Sequence, residues 1–253
     1  MKILIVSGFL GAGKTTFIKR LARNVDQRFA ILENEYGAAG IDGARLGQNR
    51  QGTQKNVWEM TEQCICCIGK KDFAASVLTI ANVVDPEYLI VEPTGVGSLA
   101  RIIENLRQIE YERIQLLSPV TIVDVYSYRR YMAEYPELYQ DQIRSADTII
   151  VSKTEACQAE EKQRIQKFLQ EINPQAKIIT DYASTMTRED YQSLLLGGRY
   201  EKEVQDTQSG EKMPETFSFE NIRMEAPETL WCFLEQIIRG AFGNIIRAKG
   251  QFA

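Results

Sequence analysis

Short apolar runs rich in valine and isoleucine recur along the chain and alternate with longer amphipathic stretches. The runs are Lys2 to Val6, Phe29 to Leu32, Val57 to Met60, Tyr88 to Val91, Val120 to Val123, Thr148 to Val151 and Lys177 to Thr180. Between them, Thr15 to Val25, Phe73 to Ala81, Ser98 to Leu106 and Glu160 to Ile172 carry apolar residues at helical spacing. A strand that is apolar on both faces needs cover on both. The alternation therefore predicts an α/β fold, a mainly parallel sheet with helices on both faces, over residues 1–182. Residues 183–214 read as a helix and a connector, because Gly197 to Pro214 has little apolar content and no period. Residues 215–253 read as a small α+β appendage of βαβ type: a strand at Glu215 to Phe219, a helix at Pro227 to Arg239 and a strand at Ile245 to Arg247. That piece is too short for a core of its own and is expected to pack against the first domain.

Composition narrows the chemistry. With 44% apolar and 25% charged residues in 253, the chain is an ordinary globular one, and a net charge of -4 argues against nucleic acid or an anionic membrane as partner. No run approaches the roughly 18 apolar residues of a membrane span. The apolar start fails as a secretion signal, since Lys14 interrupts it and no small-residue cleavage site follows. A cytoplasmic location is the simplest expectation. The chain has no histidine, which excludes Ser/His/Asp and Cys/His nucleophiles as well as HExxH and Cys2His2 zinc sites. Any metal must be held by thiolate, carboxylate or carbonyl groups.

Gly8-Phe9-Leu10-Gly11-Ala12-Gly13-Lys14-Thr15 satisfies the phosphate-loop pattern, after a predicted strand and ahead of a predicted helix. In that motif Gly8, Gly11, Ala12 and Gly13 turn backbone N–H groups onto phosphates, and Lys14 places a charge between the β- and γ-phosphates. The Thr15 hydroxyl is offered to Mg²⁺, and Thr16 is a further candidate for nucleotide binding. A strand that ends in an acid, Tyr88 to Glu92 followed by Pro93-Thr94-Gly95, supplies the second carboxylate of such a site. Asp124, at the end of Val120 to Val123, either reaches the same metal or caps the next helix.

Of the five cysteines, Cys64, Cys66 and Cys67 fall within four residues, which reads as a thiol cluster in a reducing compartment rather than a disulfide scaffold. Thiolates suit Zn²⁺, Cu⁺, Co²⁺ or Ni²⁺, and with no imidazole a fourth ligand has to be a carboxylate, a water or a partner's group. Glu33-Asn34-Glu35-Tyr36-Gly37 follows the second strand and offers such carboxylates near the γ-phosphate end of the site. A redox relay is the competing use of the three thiols. Cys157 and Cys232 stand alone and are expected to be structural.

GFLGAGKTT, ENEYG, CICC, EPTG and a late RAKG (Arg247 to Gly250) occur in an order that resembles the CobW-type metallochaperone GTPases, relatives of the urease and hydrogenase nickel-insertion GTPases. The resemblance implies a phosphate-loop NTPase fold and hydrolysis of GTP with Mg²⁺. It also implies a transition metal, zinc or cobalt with nickel as a further option, held through CxCC for a client metalloprotein or a cofactor-assembly enzyme. Zinc metalloprotein assembly and cobalamin or corrinoid assembly both fall in that range, and a homodimer is one assembly it allows. By the same resemblance Lys14 and Thr15 serve phosphate and Mg²⁺, Glu92 is the acid of the Mg²⁺ site, and Glu33, Cys66 and Cys67, with Cys64, are the metal ligands. Glu35 or Glu92 orients the attacking water unless a partner does.

The family's guanine-reading Asn-Lys-x-Asp is replaced here by Ser152-Lys153-Thr154-Glu155. Ser152, Lys153 and Glu155 inherit the base site, with Glu155 accepting from a longer arm. Gln63 stands where the family commonly has glycine before the first cysteine. Without the histidine-rich stretches of many relatives, one specific ion per chain is expected rather than a surface reservoir. Two other functions use the same residues: an ATP-dependent phosphoryl transferase acting on a metabolite, and a redox-sensing interaction module whose CxCC forms a disulfide.

Overall fold

In the computed structural model the described residues are 1–27, 29–35, 57–63, 70–204, 226–246 and 248, given by their backbone at 34–35, 57–63 and 70–72. Eight strands run in chain order: β1 (Lys2–Gly8), β2 (Phe29–Glu35), β3 (Val57–Gln63), β4 (Tyr88–Glu92), β5 (Gln115–Leu116), β6 (Val120–Asp124), β7 (Thr148–Ser152) and β8 (Lys177–Ile179). The helices are α1 (Lys14–Asn24), α2 (Lys70–Val83), α3 (Leu99–Arg107), α4 (Tyr128–Glu134), α5 (Pro136–Arg144), α6 (Ala159–Ile172), α7 (Tyr182–Thr185), α8 (Arg188–Leu196) and α9 (Pro227–Ile238).

The strands form one sheet in the order β3-β2-β4-β1-β6-β7-β8, with β5 beside the start of β1, and every pairing is parallel. Both faces are dry, as the unbroken apolar runs require. On one face Ile3, Ile5, Leu89, Val91, Val123 and Val151 pack against α2 to α6; on the other Leu4, Val6, Ile90, Ile122 and Ile150 pack against α1, α7 and α8. The split follows from the handedness of the crossovers. The chain moves one way along the sheet from β1 through α1 to β2 and on to β3, and the opposite way from β3 onwards, so right-handed connections put α1 on one face and α2 to α6 on the other. The reversal occurs around β1, and the crevice beyond the strand ends there is where such sheets bind ligands.

Seven strands coincide with the apolar runs. The two-residue β5 and the helices α4, α5 and α7 are additional, while α8 falls within 183–214, ahead of Gly197, where a helix is expected before the connector. Beyond Val204 the helix expected over Pro227 to Arg239 runs Pro227–Ile238. Ile245 and Ile246 adopt no strand, and the proposed strand at Glu215 to Phe219, together with Arg247, lies outside the described residues. Asn244 fastens this segment to α4, its amide donating to Glu134 Oε1 and its carbonyl accepting from Arg130, while Ile246 packs against the larger core.

Candidate nucleotide and metal site

β1 ends at Gly8, where φ is +140° and an added Cβ would lie 2.4 Å from the Ile122 carbonyl oxygen of β6. Only glycine fits there, because the chain must leave the sheet while still pressed against its neighbour. The loop returns at Gly13, the N-cap of α1, with φ +101° and no side-chain cap. A helix start of this kind presents its first-turn amides to an anion. The Lys14 ammonium is buried and donates to the Gly8 carbonyl at 2.9 Å and that of Phe9 at 3.5 Å.

The Thr15 hydroxyl donates to both oxygens of Glu92, at 2.9 and 3.1 Å. Two residues 77 positions apart in sequence thus meet at the tip of the loop. Glu33 of β2 is the register partner of Glu92 on β4. Alternation along both strands, with Phe29, Ile31, Tyr88 and Ile90 in the α1-side core, puts the two carboxylates on the α1 face. Adjacent carboxylates with a hydroxyl between strand and helix are hard oxygen donors of the kind that suits Mg²⁺.

Asp124 is not directed at this group. Its carboxylate accepts from the Tyr126 N–H (2.9 Å), the Ser127 hydroxyl (3.0 Å) and the Lys153 ammonium (2.6 Å), so it organises the start of α4 and the loop after β7. In that second loop, the buried Ser152 hydroxyl donates to the Ala12 carbonyl at 2.6 Å and backs the phosphate loop from below. Lys153 takes the left-handed conformation, with φ 60°, and Glu155 is exposed. A residue outside the motifs joins them: Lys162, at 2.6 Å, holds the Asp181 carboxyl below its ordinary range, with a further hydrogen bond from Thr154. Asp181 had no signal in sequence because its partners come from α6 and from the loop after β7.

The acid loop that follows Glu92 is pressed onto the phosphate loop. A Cβ on Gly95 would stand 2.5 Å from the Leu10 backbone nitrogen and 2.8 Å from its Cα. Cys64, Cys66 and Cys67 and the side chain of Glu35 lie outside the described residues, and among the described residues no cluster of three or more acidic or thiol groups has metal-binding geometry. The thiol motif begins one residue after β3, and β3 pairs β2 in register up to Gln63 opposite Glu35. No helix among the described residues is long and apolar enough to cross a membrane.

Comparison with known proteins gives the family and the fold. The zinc chaperone YeiR of Escherichia coli K12 is 30% identical over 178 residues, 69% of this chain and 53% of YeiR. A zinc chaperone CobW of Pseudomonas aeruginosa is 27% identical, over 65% of this chain and 52% of its own length. The chain thus spans about half the length of the curated relatives it matches. Among solved structures, Zn(II)-bound YjiA GTPase from Escherichia coli superposes with a TM-score of 0.54 at 19% identity, covering 80% of this chain and 66% of YjiA. The hydrogenase maturation factor HypB from Archaeoglobus fulgidus gives 0.53 at 18%, over 78% and 89%. At these identities the two structures speak for the fold, the same parallel phosphate-loop sheet. The family profile "CobW/HypB/UreG, nucleotide-binding domain" matches residues 2–180, the span that holds the phosphate loop, the paired acids and the loop after β7, and this chain belongs to that family.

Proposed function

We propose that the chain is a GTP-hydrolysing metallochaperone module that binds one transition-metal ion, zinc in the first instance, and releases it to a client metalloprotein under control of the bound nucleotide. The observation that carries this reading is the register pairing of Glu33 with Glu92, beside the Thr15 hydroxyl. One acid of the pair belongs to the hydrolytic site, and the other begins the ENEYG segment assigned to the metal.

The Lys14 ammonium, now on the Gly8 and Phe9 carbonyls, is placed to transfer to the β- and γ-phosphates of a bound nucleotide. Thr15 and Glu92 hold Mg²⁺, which when bound neutralises charge on those phosphates. Lys153 and Glu155 face the guanine base, Ser152 serves it indirectly by fixing the Ala12 carbonyl, and Asp124 positions Lys153. Zinc is the cargo, taken by Cys66, Cys67 and Glu33 with Cys64 beside them. The zinc chaperones among the relatives support zinc over cobalt or nickel. Because Glu33 sits one strand from Glu92, nucleotide binding changes zinc affinity, and linkage makes the reverse coupling equal in size.

Titration of the reduced protein with Zn²⁺, with and without a non-hydrolysable GTP analogue, tests site and coupling together. The expected result is stoichiometric binding lost in Cys66→Ser/Cys67→Ser, with affinities that differ between nucleotide states by roughly 5- to 150-fold. Identical affinities in the two states would leave the gating reading without support.

A further inference from the structure

Two loops do the chemistry proposed above, and both are held by the same pair of helices. α4 and α5 are consecutive, separated by Tyr135 alone, and the junction is tied by the Tyr135 N–H to the Tyr131 carbonyl (2.8 Å) and the Tyr139 N–H to the Tyr135 carbonyl (2.9 Å). Around that junction, Phe9 of the phosphate loop is inserted among three tyrosines, with ring centroids 4.2 Å from Tyr131 of α4, 5.4 Å from Tyr135 and 5.9 Å from Tyr139 of α5. The Tyr131 hydroxyl also donates to the Leu10 carbonyl at 3.2 Å.

On the α5 side, two consecutive buried residues grip the acid loop. The Gln142 amide donates to the carbonyls of Gly95 (3.2 Å) and Gly97 (3.0 Å). One Asp141 oxygen accepts from the N–H groups of Leu99 (2.7 Å) and Ala100 (3.4 Å) at the start of α3. The two loops touch where Gly95 meets Leu10. Their mutual register, and with it the approach of Glu92 to Thr15, is therefore set by anchor points on a single rigid turn of chain.

We propose that α4 and α5 form a bracket that aligns the phosphate loop with the acid loop, and that Gln142 is a positioning residue for hydrolysis. Gln142 is 1% exposed and touches neither reacting group, and its Oε1 is buried with no hydrogen-bond partner among the described residues. A side chain kept for stability alone gains nothing from that lone acceptor, whereas its two donors land on the two glycine carbonyls that shape the loop. When those bonds are absent, Gly95 is free to move away from Leu10 while the phosphate loop, held separately by the tyrosines, stays in place. Nucleotide binding and turnover then part company.

This inference rests on the GTPase reading, and the experiment separates the two. Gln142→Leu keeps the size of the side chain and removes both donors together with the lone acceptor. Three quantities are compared with the parent: KM for GTP, kcat, and hydrogen exchange at residues 95–100. The expected result is a KM within about twofold and a kcat lower by about 10- to 100-fold, the range that misplacement by about 1 Å produces. Exchange is expected to be faster at residues 95–100 and unchanged at residues 9–13. A variant with parent kcat and parent exchange overturns the bracket. A variant that is only less stable, with parent kcat per folded molecule, does so too. If the parent binds GTP without hydrolysing it, the functional reading fails, and the exchange data alone decide the bracket: equal protection at 95–100 refutes it. Gln142→Asn, which keeps the amide on a shorter stem and pulls it off both carbonyls, carries the same expectation if the leucine variant does not fold.

Discussion

Replacing Gly95 by alanine is the sharpest single perturbation of the site. The added methyl would stand 2.5 Å from the Leu10 nitrogen and 2.8 Å from Leu10 Cα. Ordinary contacts between such atoms lie at about 3.5–4.0 Å, so the two loops must part by about 1 Å. Leu10 presents backbone here, and backbone cannot swing aside as a side-chain tip does. Forcing a methyl into a packed site of this kind costs about 1–3 kcal/mol of stability. The larger effect falls on hydrolysis, because the same shift draws Glu92 from Thr15, and a displacement of about 1 Å in a catalytic constellation lowers turnover on the order of 100-fold. The assay is single-turnover GTP hydrolysis at saturating Mg²⁺, paired with the urea midpoint and the affinity of a fluorescent GTP analogue. Hydrolysis at the parent rate with an unchanged midpoint would refute the steric argument. Weakened nucleotide affinity equal to the loss of turnover would show that the phosphate loop, rather than the acid loop, had moved.

Two further outcomes follow from buried and paired polar groups. Burial pushes the Tyr139 phenol well above its ordinary value, with Asp124 adding to the effect, and its hydroxyl has no hydrogen-bond partner among the described residues. Tyr139→Phe keeps the ring against Phe9 and is expected to be neutral or to stabilise by about 1 kcal/mol, read as a melting temperature raised by about 2–4 °C; a clear loss of stability contradicts it. The Asp181 carboxyl is held below its ordinary range by Lys162 first and by Thr154 as well. A depressed folded-state value means that the stabilisation is present above the unfolded-state pKa of about 3.9 and is lost as pH falls through the lower folded value. The difference in urea midpoint between parent and Asp181→Asn should therefore be widest near neutrality and narrow below about pH 4. A gap that stays constant into acid would show that Asp181 acts through shape and not through charge.

Most of the sheet is readable from the chain because its strands are buried on both faces, which turns Lys2 to Val6 or Val120 to Val123 into unbroken apolar runs. The phosphate loop is readable because backbone approach demands glycine at fixed spacing, as Gly8 against Ile122 illustrates. The bracket left almost no trace. Besides Leu138 and Ile143, its buried positions are Tyr128, Tyr131, Tyr139, Asp141 and Gln142, residues that pattern reading counts as polar or ambiguous, and Pro136 interrupts the period where α5 begins. Asp141 and Gln142 are buried because they satisfy loop backbone far away in sequence, and no local pattern reports such a partner. The dual reading of Asp124 had a related origin, since Ser127 is a local donor but Lys153 reaches the carboxylate only when β6 and β7 lie side by side.

The place of β1 in the sheet also governs the order in which the site is built. β1 precedes β2 and β3 in the chain, yet its neighbours are the later β4 and β6, whose pairings join Ile3 to Leu89 and Val6 to Val120. The turn at Gly8 takes its support from Ile122. At a synthesis rate of about 5–20 residues per second, the N-terminal strand waits about 5–20 s for a hundred or so residues to follow before it has a partner on both sides. Through that interval an apolar strand and a glycine-rich loop are displayed without a nucleotide pocket. The phosphate loop thus takes its working form only after strands made well after it are in place.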